Sequence, residues 1–366
     1  MRLMLALLFL AVQARAAILT VCPSGCTNTT IAAAYAAASS GDIIQLNEDI
    51  DSAVAITSQT YTAKTITIQG NTTTTARTWT YTGNSSGYTL RLAGSSGNFG
   101  NICIRNLTMR NGNTSATNAV IDIQNITAAG YLTITAATMY GCDNVDCGAI
   151  RNSANTSLTG VLITNSDFIG NGTDSRLIFD SANTTADVWK IINTIFRNNT
   201  TVSSYGTVAF IASTNNNVAT IENCIFDNNY RGVGYGVSGP RMTITNCIFT
   251  RNSNADLFES GQTWAVSYSA FSSLTAHAGT GNIFGINTAN QFVNIGTDYH
   301  PVSYAAGINT GLYIAETSPD KDGVTRSDPE EMGPYELTIP GPTPTPAPSS
   351  GNLPTSNSLM LMGIGL

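Results

Sequence analysis

One phrase, repeated along the chain, constrains this sequence more than any other feature. Residues 242–253, MTITNCIFTRNS, nearly restate residues 219–230, ATIENCIFDNNY. Its core, an Asn followed three residues later by a large apolar side chain, recurs as Asn106…Met109, Asn165…Phe168, Asn193…Phe196, Asn223…Phe226 and Asn246…Phe249. Two degenerate copies end at Met139 and Phe271. From anchor to anchor the spacings are 30, 29, 28, 30, 23 and 22 residues. A period of about 20–50 residues held over successive copies is the mark of a solenoid.

The residues entering each Asn decide which solenoid. Val161, Ile163, Asn165; Trp189, Ile191, Asn193; Ala219, Ile221, Asn223; and Met242, Ile244, Asn246 alternate mostly with Thr, Glu or Lys. Period two is a strand with one face turned to a core. Beyond residue 40 there is no run at the helical period, and Thr, Val and Ile suit half-buried strands. Each repeat therefore reads as one turn of an all-β, single-stranded parallel β-helix of about ten coils. Parallel crossovers are overwhelmingly right-handed, so the coil is expected to be right-handed too.

At each bend the backbone leaves its ladder and its polar groups need partners. Asn165, Asn193, Asn223 and Asn246 are expected to form a structural ladder, their amides turned inward onto backbone and onto one another. A second column, Asn171, Asn199, Asn229 and Asn252, falls three residues past the anchors and lines another bend.

Composition narrows the function classes. Only 11% of residues are charged, with 16 basic against 23 acidic and a formal net charge of −7. Nucleic acid is excluded as a partner, because its binding needs a dense Lys/Arg surface.

Residues 1–16 carry Arg2, the apolar run Leu3–Val12 and Ala14-Arg15-Ala16, the pattern of a secretory signal peptide. Residues 17–48 are expected to form an N-terminal cap with an amphipathic helix (Ile31, Ala34, Tyr35, Ala38) and a first strand at IIQL, closing the open strand edges of the coil. Coils should fill 49–315, a closing segment 316–337, a Pro/Thr/Ser-rich linker 338–358 and a short apolar tail 359–366. The tail is too short to span a bilayer, so a membrane is reached only through an anchor, if at all. Export permits disulfides. Cys22–Cys26 and Cys142–Cys147 are close enough in sequence for local bridges; Cys224 and Cys247 share a repeat column and their pairing stays open, with Cys103 left over. With only His277 and His300 available, neither near a cysteine pair, no metal site is expected. Eleven Asn-x-Ser/Thr sequons add glycosylation as an expectation for an exported chain.

TVCPSGC, then TIAAAYAAASSGDIIQL, then the repeated ITNC-x-F phrase resemble secreted right-handed parallel β-helix proteins of the pectate-lyase-like superfamily, nearest to its repeat-containing surface and adhesin-type members. The stretch 317–337, TSPDKDGVTRSDPEEMGPYEL, resembles that group's closing segment, D-x-D-G-x-x-R…D-I-G-A-Y-E, at Asp320, Asp322, Gly323, Arg326, Gly333, Tyr335 and Glu336, with Met332 and Pro334 in place of Ile and Ala. The resemblance implies the fold. It leaves activity open, since many functions share this scaffold.

Enzymes of the superfamily would leave further marks. The chain has no Asp-Asp pair, Gly-His-Gly or Arg-Ile-Lys of the polygalacturonase kind, and no W-x-D-H string of the lyases. A lyase-like site, if there is one, would draw on Asp143, Asp146, Asp227 and Arg197; acidic residues spaced like Asp143 and Asp146 suit calcium, the one cofactor considered. Tyr140, Tyr205, Tyr230 and Tyr235 are candidates for stacking on sugar rings, the last two in YRGVGYG, which reads as a loop standing off the coil. The expected function is an extracellular or cell-surface scaffold acting as adhesin, coat or carbohydrate-binding protein, with a polysaccharide or surface glycan as partner. The alternatives are a polysaccharide lyase or glycoside hydrolase, and a filament subunit that self-associates end to end.

Overall fold

A computed structural model gives the architecture. It describes residues 15–57, 64–71, 76–83, 87–93, 100–112, 119–124, 130–141, 148–153, 159–170, 176–181, 188–200, 206–210, 218–235, 241–258, 264–317 and 319–337. The described chain winds as a right-handed parallel β-helix with three sheets along its length. The first sheet has ten strands, from Ile18–Val21 to Ala265–Ser267; the second has eight, from Val54–Thr57 to Ala255–Phe258; the third has ten, from Ile50–Asp51 to Ile283–Phe284. Apart from one small antiparallel hairpin, Phe292–Asn294 with Asp298–Pro301, strand pairing is parallel.

Period-two alternation becomes inward stacking. In the first sheet Ile102 and Ile104 lie over Ile66 and Ile68, then under Leu132 and Ile134, and all are essentially solvent-free. The repeat anchors form a column inside the third sheet, with Trp79, Met109 and Met139 leading to Phe168, Phe196, Phe226, Phe249, Phe271 and Phe284. From Phe168 onward the rings stack with centroids 5.0, 5.0, 4.9, 5.0 and 5.3 Å apart, close to the spacing that parallel strands impose.

The Asn after these first-sheet strands opens a bend of one or two residues into the third sheet. Asn106, Asn165, Asn193, Asn223 and Asn246 have φ of 51°, 51°, 49°, 52° and 56°, the left-handed region that Asn tolerates better than most residues. This overturns the expected inward direction. Among these residues one ladder contact exists, Asn246 Nδ2 to Asn223 Oδ1 at 3.4 Å, while their other side-chain partners lie in residues 312–333, outside the coil. The inward corner belongs to the next residue in each copy. Thr194 Oγ1 donates to Ile192 O (2.8 Å), Cys224 Sγ to Glu222 O (3.1 Å), Cys247 Sγ to Thr245 O (3.3 Å) and Ser269 Oγ to Ser267 O (3.0 Å). Cys224 and Cys247 are thus free thiols occupying hydroxyl positions, and burial pushes the Cys247 thiol well above its usual range.

The second Asn column makes the buried ladder. Asn229 Oδ1 accepts from Asn199 N (3.0 Å) and Asn252 Oδ1 from Asn229 N (3.1 Å), while their amides donate to Phe196 O and Phe226 O (3.1 Å each). Asn171, Cys142 and Cys147 lie outside the described residues. Cys22 and Cys26 are bonded.

At the N-terminal end a strand at Ile18–Val21 precedes the helix and pairs with Ile43–Leu46. Helix Ile31–Ala37 buries Ile31, Ala34 and Tyr35, with Thr30 Oγ1 accepting from Ala33 N (3.1 Å) as N-cap. Lys64 Nζ closes the other end by donating to the carbonyls of Tyr35, Ala36 and Ala38. No helix among the described residues is long and apolar enough to cross a membrane.

After Phe284 the chain turns back along the outside of the coil. Ile286, Phe292, Tyr299 and Met332 pack on Ile195, Ile225, Ile248 and Ala270, which face outward from the third sheet. The closing segment then docks on the Asn bends. Arg326, 4% exposed, donates to Asn193 Oδ1 (2.9 Å) and Gly333 O (2.9 Å); Asn223 Nδ2 reaches Glu330 Oε1 (3.0 Å); and Leu312 N donates to Asn246 Oδ1 (2.8 Å). Asp320 ties the segment to itself through Val324 N (2.7 Å) and Glu336 N (2.7 Å). The D-x-D-G-x-x-R…G-x-Y-E residues therefore act as a clamp holding residues 286–337 as a cover over the later coils.

Candidate functional site

The same outer face of the third sheet has two characters. The position before each anchor reads Thr78, Thr108, Thr138, Asp167, then Ile195, Ile225, Ile248, Ala270. The position after it reads Thr80, Arg110, Tyr140, Ile169, then Arg197, Asp227, Thr250. From Ile195 onward the position before each anchor is apolar, and the face is covered by the C-terminal segment. Before that point it is polar, and an open groove of about 560 Å³ runs along it, lined by Asp49, Asp51, Thr78, Thr80, Thr82 and Arg110 among others.

The lining is ordered by its own hydrogen bonds. Asp49 Oδ1 accepts from Thr78 N and Asp51 Oδ1 from Thr82 N, both at 2.9 Å, and the Asp51 carboxylate also takes the Thr82 hydroxyl. Arg110 is exposed, and its guanidinium lies 4.9 Å from the centroid of the half-buried Tyr140 ring. Carboxylates, hydroxyls, a guanidinium and an aromatic ring on four successive coils give donors, acceptors and an apolar platform along one line.

Two of the acidic and basic candidates, Asp227 and Arg197, are brought onto paired strands, but as structural groups. Asp227 is fully buried beneath the cover. Its Oδ1 accepts from Arg251 Nε (2.8 Å) and its Oδ2 from Arg251 Nη2 (2.5 Å) and the Tyr299 hydroxyl (2.5 Å). Burial, reinforced by this carboxylate, raises the Tyr299 hydroxyl pKa, and the Asp227 hydrogen bond holds Arg251 above its usual value. Arg197 Nη1 donates to Gly296 O (2.6 Å) and fastens the same cover. Asp227 is therefore held by Arg251 and Tyr299 beneath the cover and does not face the open groove. Asp143 and Asp146 lie outside the described residues, and among those described no three His, Cys, Asp or Glu converge as a metal site.

Of the tyrosines, Tyr140 belongs to the open face. Tyr230 is half-buried with Arg231 5.4 Å from its ring, on another part of the coil, and Tyr205 lies outside the described residues. Residues Arg231–Tyr235, expected as a loop, form a second-sheet strand paired on both sides. Its glycines explain the fit: a Cβ at Gly232 would stand 2.4 Å from Asp256 O, and one at Gly206, in the neighbouring coil, 2.1 Å from Gly234 N.

One polar row in the second sheet has no counterpart in the sequence reading. Arg91, Asp122 and Arg151 are register partners on adjacent coils. Asp122 Oδ2 accepts from Arg91 Nε and Nη2 (2.9 Å each), Asp122 is 2% exposed, and burial raises its pKa against the pull of Arg91. The Arg91 guanidinium lies 4.0 Å from the Tyr88 ring centroid. Both this row and the groove could be found by reading columns across the repeat rather than along the chain.

A crystal structure of the pectate lyase Pel9A matches with a TM-score of 0.50 over 87% of this chain and 96% of that one, at 13% identity. At that identity the match establishes the fold alone, a right-handed parallel β-helix. No family model and no curated protein sequence matches the chain.

Proposed function

We propose that this chain is an extracellular β-helix that binds a polysaccharide along the uncovered polar half of its third sheet, as a surface or adhesive scaffold. The observation that carries the reading is the groove at Asp49, Asp51, Thr80 and Arg110, continued by Tyr140 on the next coil. Sugars need hydroxyl partners held in place and a ring face to stack on. The disulfide Cys22–Cys26 is in keeping with an oxidising compartment. The test is a binding screen of the 17–337 chain against neutral and uronic-acid polysaccharides, with calcium present and new chain ends followed. Binding that Arg110→Ala and Tyr140→Ala weaken, without products, supports the reading; binding indifferent to both variants refutes it.

A second reading, a polysaccharide lyase, is favoured by the Arg91–Asp122–Arg151 row, where a carboxylate of raised pKa lies between two guanidiniums. General acid–base work needs such tuned groups. Unsaturated products from the wild type that disappear in Arg91→Ala and Asp122→Asn would replace the first reading by this one.

A further inference from the structure

The cover formed by residues 286–337 is held at two places by groups whose contacts depend on protons. The first is His300, in the hairpin of the cover. Its Nδ1 lies 2.6 Å from Asp298 Oδ1 and its Nε2 2.6 Å from Asp322 Oδ2, and the ring stacks on Tyr335 with centroids 4.2 Å apart. A neutral imidazole carries one N–H, so it donates to one of two carboxylates; only the imidazolium donates to both. His300 thus staples the hairpin to the 320–322 loop in its charged form. Beside it Lys321 pairs with Asp167 (3.2 Å) and donates to Asn165 O (2.9 Å), tying that loop to the coil.

The second place is the clamp. Asp320, Glu330, Glu331 and Glu336 are all buried, and Arg326 is the cation among them. Glu331 and Glu336 are adjacent, Glu336 Oε2 accepting from Arg326 Nη1 (3.5 Å), while Glu331 Oε2 is buried without a partner. Across the pair the Glu331 carboxyl meets the Glu336 carboxylate, to which it can donate only when protonated.

We propose that the C-terminal cover is a proton-dependent latch, docked in acid and released from the later coils in alkali. His300 faces Asp298, Asp322 and Tyr335, with Asp167 and Asp320 behind Tyr335; Glu331 faces Glu336 and Arg326, with Glu330 and Asp320 across the guanidinium. The signs agree. Burial works against the charged His300 ring, but the hydrogen bonds to Asp322 and Asp298 outweigh it and raise its pKa, so its contribution is full below the unfolded value and is lost as pH rises through the folded one. Glu331 is pushed up to about 8 by burial and by Glu336, so docking weakens as pH climbs from the ordinary carboxylate range through that value. On the acid side Asp298, lowered by its hydrogen bond to His300, and Glu336, which Glu331 and Ser327 hold down against the effect of burial, lose their contributions as they protonate. The cover is tightest between these limits.

Release uncovers Ile195, Ile225 and Ile248 and extends the open third-sheet face. The experiment is amide hydrogen exchange on the whole chain at about pH 5.5 and about pH 9, corrected for the intrinsic base-catalysed rate. Gly333 N, which donates to Asn246 O across the cover–coil contact (2.7 Å), is the reporter; Ile134 and Ile163 in the first sheet are controls. We expect the reporter's protection to fall at least about tenfold at the higher pH while the controls hold. In a His300→Gln, Glu331→Gln double variant this difference should vanish. Equal wild-type protection at both pH values, or an unchanged difference in the double variant, overturns the latch. If His300→Gln undocks the cover at both pH values, the near-isosteric Glu331→Gln decides: its cover must be better protected than wild type at about pH 9, and equal protection refutes the proposal.

Discussion

Arg326 Nη2 donates to Asn193 Oδ1 at 2.9 Å across 133 residues of sequence, joining the closing segment to a bend in the middle of the coil. The same guanidinium bonds to Thr317 O, Glu331 O and Gly333 O, so one buried cation organises both the segment and its docking. Arg326→Met removes that cation and leaves Asp320, Glu330, Glu331 and Glu336 crowded and uncompensated. Such a loss costs about 3–5 kcal/mol. Urea unfolding should show it, together with early proteolytic release of residues 286–337; unchanged cleavage there would remove the clamp from the account.

The ring column makes the coils cooperative. Phe226 stacks on Phe196 and Phe249 with centroids 5.0 and 4.9 Å away and is fully buried. Phe226→Ala should destabilise by about 3–5 kcal/mol, and Phe226→Leu by much less because it leaves a smaller cavity. Equal losses in the two variants would argue against a cavity origin.

Asp227 provides a test that separates stability from function. Asp227→Asn keeps the shape but removes the charge that two Arg251 nitrogens and the Tyr299 hydroxyl bond to. We expect a loss of about 2–4 kcal/mol with saccharide binding at the groove unchanged under folding conditions. Abolished binding in a folded protein would move the functional site to the covered half of the face.

On the open half, Tyr140→Phe should bind saccharide as wild type does, since the ring is kept, whereas Tyr140→Ala should lose about tenfold, roughly one stacking contact. Titration calorimetry with the same oligosaccharide checks both. A Phe variant as weak as the Ala variant would point to the hydroxyl rather than the ring.

The coil itself was legible because its signals are local and periodic. Val161, Ile163 and Phe168 announce strands and an inward column, and their copies every 22 to 30 residues announce stacking. Asn165, Asn193, Asn223 and Asn246 were also legible as bends, but their side-chain direction was not. A left-handed residue turns its side chain out of the corner, and its partners here come from residues 312–333, whose placement no local pattern encodes. The conformation of Arg231–Tyr235 was misread for a similar reason: glycines that look like a loop are needed where backbones of neighbouring coils approach closely.

By itself, then, the sequence determined the repeat, the strand alternation, the capping helix and the residue type at each bend, because these follow from steric preference and period. Only the tertiary structure decided which outer face stays open. The pairs Ile195-Phe196, Ile225-Phe226 and Ile248-Phe249 bury both sides of one strand, while Thr108-Met109-Arg110 and Thr138-Met139-Tyr140 bury one. Whether an outward Ile meets water or a cover depends on where the chain returns after Phe284, and burial of apolar surface against Phe292, Tyr299 and Met332 settles it.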